Sequence, residues 1–447
     1  MGMPRKSSRQ IRKYTLTYKS RPHGRSRRPA RTIITRSLVT SSPGGFFQRL
    51  PSELFDMILD KLSVPEISVF SMASREITTY VVDYISTQAW MNKMIVHNFH
   101  HTSSLEHTAT VAQYRNLGLL FKRCTLLLPT KERLKYIYSR FSMIPCFMLE
   151  QCVVPDCIGF SCHGVFLQTL IAGWDQLECY RVFNFMCATT NLLQKIQTVV
   201  TAQPGRRWYQ ELQLRLFCRL VLLDPCLHQP DCHFWLTQIL KPWPIVSQAH
   251  LLIILYGPLQ PKGTLCWQDL EERGLPHTAL WDLAKAILLL YGKQEVRDWT
   301  TKSMLAILQE LTVIPRPWHG DNVARLLVLC GSKLCYTILA SMALNGKLLD
   351  VSRLIVYMTL VCEKDGYHMS WVVKLVQEIS KAFNTGPEKF FFIQQVEKMF
   401  SDITREFFEF SLTGNLEDRE GFQNLCILLD SSARFHTEFL QMFLKQQ

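Results

Sequence analysis

Residues 46–90, FFQRLPSELFDMILDKLSVPEISVFSMASREITTYVVDYISTQAW, read as three short amphipathic helices joined by tight turns. Pro51 fits a first helical turn, where its missing N–H costs nothing, and Glu53 lies near the positive end of the helix dipole. Leu54, Phe55, Ile58, Leu59 and Leu62 then recur at helical spacing as one apolar stripe, with Asp56, Asp60 and Lys61 on the other face. Ser63 and Glu66 form a capping box and Pro65 lies inside that turn, so a second helix starts at once and carries Ile67, Phe70 and Met72. A third uses Ile77, Val81 and Ile85, with Trp90 as a large terminal anchor. So short a segment builds little core alone. Part of its apolar surface is therefore expected to be completed by another protein.

The order of residues resembles the F-box family. Leu50-Pro51-Ser52-Glu53, Ile58-Leu59, Leu62-Ser63, Glu66-Ile67 and Ser74-Arg75 follow that family's pattern, while Ala73 and Ile77 depart from it and stay apolar. The similarity to F-box proteins continues through 116–137 (NLGLLFKRCTLLLPTKERLKYI), 166–187 (FLQTLIAGWDQLECYRVFNFMC) and 234–259 (FWLTQILKPWPIVSQAHLLIILYGPL). The resemblance implies a substrate-recognition subunit of a Skp–cullin–F-box ubiquitin ligase, with cullin and RING subunits reached through a Skp-type adaptor. It implies adaptor-binding roles for Leu50, Pro51, Glu53, Leu54, Ile58, Leu59, Leu62, Ile67, Phe70 and Ser74. The protein substrate is not named by it.

The net charge of +13 is concentrated at one end. Residues 1–45 hold 12 Lys or Arg and no acid, which leaves 38 basic against 37 acidic side chains in the rest. The body is nearly neutral, so nucleic acid is expected as a partner only through the tail. Rich in Ser, Thr, Arg and Pro, that tail cannot offset its ordering entropy and reads as disordered. Arg25-Ser26-Arg27-Arg28-Pro29-Ala30-Arg31 suits nuclear import or a nucleic-acid patch, and a functionless solvated tail or a mitochondrial presequence are the competing readings. Met1-Gly2 makes no myristoylation signal, because Lys6 stands where a hydroxyl residue is expected.

Apolar windows such as Leu251 to Tyr256 and Leu354 to Cys362 are far shorter than the roughly 20 residues a membrane helix needs, and read as buried helices. No apolar signal peptide opens the chain. Nucleus or cytoplasm is the expected location. The 15 cysteines, an odd number spread from Cys124 to Cys426, then read as reduced and mostly buried thiols. Two groups have zinc-ligand composition: Cys146, Cys152, Cys157, Cys162 and His163, and Cys218, Cys226, His228, Cys232 and His233. Neither has the C-x2-C knuckle, so packing is the expectation and neither a metal nor another cofactor is assigned.

Catalytic signatures are missing. The run Gly257-Pro258-Leu259-Gln260-Pro261-Lys262-Gly263-Thr264 looks like a phosphate loop, but its Lys precedes the second Gly instead of following it. H-E-x-x-H, G-x-S-x-G and dinucleotide fingerprints do not occur. The ligase architecture implied by the resemblance needs no catalytic residue in this subunit, so the chain is expected not to be an enzyme.

With 20 glycines and long stretches of helical periodicity, the fold class is all-α. After Trp90, breakers at Pro129-Thr130, Pro242 to Pro244, Gly257-Pro258, Gly274 to Pro276, Pro315 to Pro317, Asn345-Gly346 and Gly386-Pro387 separate helix-sized segments, one of them from Lys131 to about Ser142. Helices of roughly 10 to 18 residues would stack as antiparallel pairs, giving either an irregular α-solenoid or a compact helical domain. No fixed-period repeat is visible. The expected organisation is a basic tail (1–45), an F-box (46–90) and a helical substrate-recognition domain (91–447). Trp174, Tyr180, Trp208, Tyr209, Trp243, Trp318 and Trp371 are core anchors or, where exposed, candidate contacts. The alternative function is a non-degradative helical scaffold or chromatin-associated interaction protein.

Overall fold

A computed structural model describes residues 50–96, 99, 104–150, 152, 157–226, 229–261, 263–292, 299–413 and 419–444. Among them the regular elements are helical, apart from one antiparallel bridge between Leu259 and Leu265. Pro51–Gln447 forms one compact unit, and Met1–Leu50 a second, of which only Leu50 is described.

Four short helices come first: α1 (Ser52–Lys61), α2 (Val64–Phe70), α3 (Arg75–Ile85) and α4 (Gln88–Met94). Pro51 precedes α1 with its carbonyl accepting from the N–H groups of Leu54 and Phe55 at 3.1 and 3.2 Å. Glu66 closes the start of α2, its carboxylate accepting from the Ser63 N–H at 2.7 Å and the Ser63 hydroxyl at 2.6 Å. Those bonds hold the Glu66 carboxyl below its usual range, the hydroxyl contributing most. The second helix stops at Phe70, short of the expected Met72, which lies exposed in the turn. Ser74 restarts the chain there by accepting from the Ile77 N–H at 3.2 Å as the N-cap of α3. Ile77, Val81 and Ile85 point inward as their spacing requires. Trp90 is buried in α4, whose N-cap is Thr87.

The body continues through α5 (Ser104–Cys124), α6 (Thr130–Phe141), α7 (Gly159–Ile171), α8 (Gln176–Thr190), α9 (Leu192–Val200) and α10 (Trp208–Phe217), which runs into a π-helical stretch over Cys218–Leu223. Then follow α11 (Gln229–Leu240), α12 (Ile245–Tyr256), a 3-10 turn at Gln268–Leu270, α13 (Trp281–Tyr291), α14 (Thr301–Leu311), α15 (Gly320–Leu329), α16 (Gly331–Leu344), α17 (Leu348–Asp365), α18 (Met369–Lys381), α19 (Gly386–Thr413) and α20 (Arg419–Leu444). The Pro and Gly breakers read from the sequence all fall between or at the ends of these helices. Two breaks carry quieter signals. Asn191, at φ 54°, and Gly366, at φ 75°, end α8 and α17 in the left-handed conformation that Asn and Gly tolerate best. The longest helices exceed the expected span: α5 has 21 residues, α19 has 28 and α20 has 26.

Through most of the body a helix packs on the helix two places further on. The pairs α10 with α12, α12 with α14, α11 with α13, α13 with α15, α15 with α17, α16 with α18, α17 with α19 and α18 with α20 build two interleaved layers. This is an α-solenoid, in which each unit buries its apolar face only against its neighbours. Polar side chains latch the layers together. Arg325 of α15, itself buried, pairs with the nearly buried Asp365 of α17 at 2.8 Å, and Asn322 donates to the carbonyls of Asp269, Leu270 and Glu272 at 2.8 to 3.3 Å. The windows Leu251 to Tyr256 and Leu354 to Cys362 lie in α12 and α17 and are almost wholly buried. Among the described residues, no helix is long and apolar enough to cross a membrane.

Candidate functional site

Helix α1 carries two adjacent apolar stripes with opposite fates. Phe55 and Leu59 turn inward; Phe55 meets Phe70 at 5.9 Å and Tyr80 at 5.0 Å between ring centroids. Leu54, Met57 and Ile58 turn outward with 46%, 62% and 36% of their surface exposed. Val69 at the end of α2 is 63% exposed, and Met72 beyond it is exposed as well. Among the described residues, two adjoining short helices thus leave a run of large apolar groups uncovered, more than the singly scattered apolar side chains of an ordinary surface.

That face stands on a stiff base. Tyr84 of α3 donates to Asp60 of α1 at 2.6 Å, and Lys93 of α4 lies 3.5 Å from the same carboxylate. The Tyr84 hydrogen bond, with help from Lys93, holds the Asp60 carboxyl below its usual range, while burial pushes the Tyr84 phenol up. Arg123 of α5 donates to the buried Ser68 hydroxyl of α2 at 3.0 Å. Ser86, just past α3, meets the Tyr136 hydroxyl at 2.9 Å and Arg140 at 2.8 Å, both from α6, with the Arg140 guanidinium stacked 3.5 Å over the Tyr136 ring. The helical unit is thus packed directly onto the body.

The expected adaptor-facing residues divide by burial. Pro51, Glu53, Leu54 and Ile58 are exposed, and Leu50, Leu62, Phe70 and Ser74 are partly exposed. Leu59 and Ile67 are fully buried and support the face from beneath. Met57 and Val69 join the outward surface without having stood out in the sequence. Met57 lies three residues after Leu54, a spacing that could have included it.

The two cysteine groups also separate. Cys146, Cys152 and Cys157 come together, all buried, with their sulfurs within 4.8 Å of one another. The two neighbouring thiols and burial push the Cys146 thiol well up. His163 stays outside that trio; its ring stacks on Phe147 at 4.1 Å and its Nε2 meets the Tyr138 hydroxyl at 2.9 Å. Burial pulls its pKa down to about 3, so it is neutral. Cys162 is buried on the same helix, also outside the trio. In the second group, Cys226 donates to the Leu222 carbonyl at 3.1 Å and Cys232 to the Cys226 carbonyl at 3.4 Å, both thiols being half-buried. His228 lies outside the described residues.

Gly257 ends α12 and leads into a turn closed by the Gln260 N–H donating to the Thr264 carbonyl at 2.7 Å, instead of opening a helix as a phosphate loop does. Lys262 lies outside the described residues, as do 46–49 and the basic tail. Of the large aromatics, Trp318 is buried, Trp174, Trp243 and Trp371 are half-buried, and Tyr180, Trp208 and Tyr209 are exposed. Trp208 and Tyr209 pack edge to face at 5.9 Å beside the exposed Arg206 and Arg207.

Comparison with known proteins bears on both regions. A family profile described as FBXO47, ARM repeats, matches residues 188–446, the part of the body where the two interleaved layers are most regular. The chain is 46% identical over 404 residues to F-box only protein 47 of Mus musculus, and 45% identical over 404 residues to F-box only protein 47 of Homo sapiens. Each match covers 89% of this chain and 89% of the relative. No solved structure matches the chain significantly.

Proposed function

The chain belongs to the F-box only protein 47 family, and from that premise we propose that it is the substrate-recognition subunit of a Skp–cullin–F-box ubiquitin ligase. The reading rests above all on the outward stripe of Leu54, Met57 and Ile58, which lies inside the segment that follows the F-box order. Pro51, Glu53, Leu62, Phe70 and Ser74 border the same docking face, while Leu59 and Ile67 hold it in shape. A Skp-type adaptor covers that face and brings the cullin and RING subunits with it. The solenoid, far larger than the 20 to 30 residues a standard interface uses per side, supplies surface for the substrate.

In this reading the subunit positions its substrate and forms no covalent intermediate. Its many buried thiols support that, since a buried cysteine is a poor nucleophile. The basic segment around Arg25 to Arg31 serves as a nuclear-import signal in the same scheme.

The deciding experiment is adaptor capture by the full chain and by a variant carrying Leu50→Ala and Pro51→Ala. Losing such an anchor costs about 2 kcal/mol or more at an interface centre, roughly thirtyfold in affinity. Unchanged capture by the folded variant would sink the docking assignment. Purification with and without ligase inhibition separates the receptor from a non-degradative scaffold: a bound partner that accumulates under inhibition supports the receptor, and an adaptor-bound chain with no destabilised partner supports the scaffold. A thioester between the purified chain and ubiquitin would replace both by a covalent enzyme.

A further inference from the structure

The turn after α6 and the start of α7 bring Cys146, Cys152 and Cys157 together although 11 residues separate the first thiol from the last. The Cys146 and Cys157 sulfurs are 3.5 Å apart, and all three lie within 4.8 Å of one another. Zinc–sulfur bonds of about 2.3 Å in a tetrahedral site place sulfurs roughly 3.8 Å apart. The trio therefore needs only rotamer-scale adjustment to meet one ion. Spacing along the chain hid this, because the ligands come from a turn and a helix start rather than from a single knuckle.

Two further observations concern the sulfurs directly. The Gly159 N–H, at the N-terminus of the 13-residue helix α7, donates to the Cys157 sulfur at 3.4 Å. Such a donor favours the thiolate over the thiol, and the helix dipole acts in the same sense. Gly159 is also the only residue type that fits, since a Cβ there would lie 2.6 Å from the Cys146 sulfur and 2.9 Å from Phe99. Backbone is thus drawn against two members of the trio. Ile144, Phe147 and Leu149, neighbours of Cys146 in the chain, are buried and apolar as well.

We infer that Cys146, Cys152 and Cys157 bind one thiophilic divalent cation, zinc, as a structural staple between the turn following α6 and the start of α7. Each zinc–sulfur bond replaces an S–H bond, whose proton leaves to solvent. Three thiolates on a divalent ion leave one excess negative charge, which the Gly159 N–H and the α7 dipole offset. Helix α7 packs on α5, and α5 carries α2, so the staple stiffens the base under the docking face.

The test uses the full chain purified without chelator. Elemental analysis should find one zinc per chain, and replacing it with Co2+ should give the near-ultraviolet sulfur-to-cobalt charge-transfer band. Cys146→Ser, Cys152→Ser and Cys157→Ser should each lose the ion and weaken the band, while Cys162→Ser, a buried cysteine outside the trio, should keep both. Chelator should lower the melting temperature of the parent chain and not that of Cys152→Ser. Should the serine variants fail to fold, the cobalt spectrum of the parent chain decides by itself. A parent chain that takes up no zinc and shows no charge-transfer band overturns the site, as does a parent mass lighter by two hydrogens from a disulfide within the trio.

Discussion

Helices α1 and α12 are both dense in large aliphatic residues, yet they spend them differently. In α12 every residue from Gln248 to Leu255 is buried, because α9, α10, α13 and α14 all pack around it. In α1 only Phe55 and Leu59 are buried, and its main neighbour is α3. Apolar content alone does not tell a core helix from a docking helix. The difference lies in how many neighbours the topology supplies, and α1 keeps a face that no helix of the described residues covers.

Perturbing the body should therefore cost stability, and perturbing the outer face of α1 should cost binding. The largest effect is expected for Arg325→Met, which leaves the nearly buried Asp365 carboxylate without its partner. Breaking such a pair costs about 3 to 5 kcal/mol, measurable by denaturant unfolding, with adaptor capture per folded molecule unchanged. Next comes Leu54→Ala with Ile58→Ala. Adaptor affinity measured by calorimetry should fall by about 2 kcal/mol or more, while thermal stability moves by no more than about 0.5 kcal/mol. An equal loss of stability would show that these side chains belong to the core and erase the contrast with α12.

The third effect depends on pH. His163 is held neutral with its pKa near 3, well below its unfolded value of about 6.5. Below pH 6.5 the unfolded chain takes up a proton that the folded chain refuses, so stability is present above that pH and is lost as the pH falls toward 3. The slope should reach about 1.4 kcal/mol per pH unit. His163→Gln should flatten the dependence of unfolding free energy on pH, and a parent and variant of equal slope would refute it. A smaller effect is expected for Ser74→Ala, which removes the N-cap of α3 and should cost about 1 kcal/mol of stability. The smallest is Lys93→Ala: its pairing with Asp60 is solvent-exposed, so melting should show a change under about 0.5 kcal/mol.

Much of this was legible in the residues. The Ser63 and Glu66 pair and the breakers from Pro129 to Pro387 act locally, within a few residues of chain, so their spacing announces helix ends directly. The solenoid was less legible, because its units repeat as shape and not as a fixed-period pattern, and its latches join residues as far apart as Arg325 and Asp365. The site was half visible. Leu54, Phe55, Ile58 and Leu59 all fit one helical stripe, and periodicity cannot divide such a stripe into the part that faces α3 and the part that faces outward.

What the sequence determined by itself was the all-α class, the helix ends at the Pro and Gly breakers, the concentration of basic charge in the first 45 residues and the F-box order from Leu50 to Arg75. Each depends on neighbours in the chain. The tertiary structure decided which apolar residues stay uncovered and which thiols meet. Leu54 and Met57 are left exposed because no helix of the described residues packs over them, and Cys146 reaches Cys157 because the turn after α6 folds back onto the start of α7. Both outcomes are contacts or missing contacts between distant segments, and such information exists only once the chain has packed.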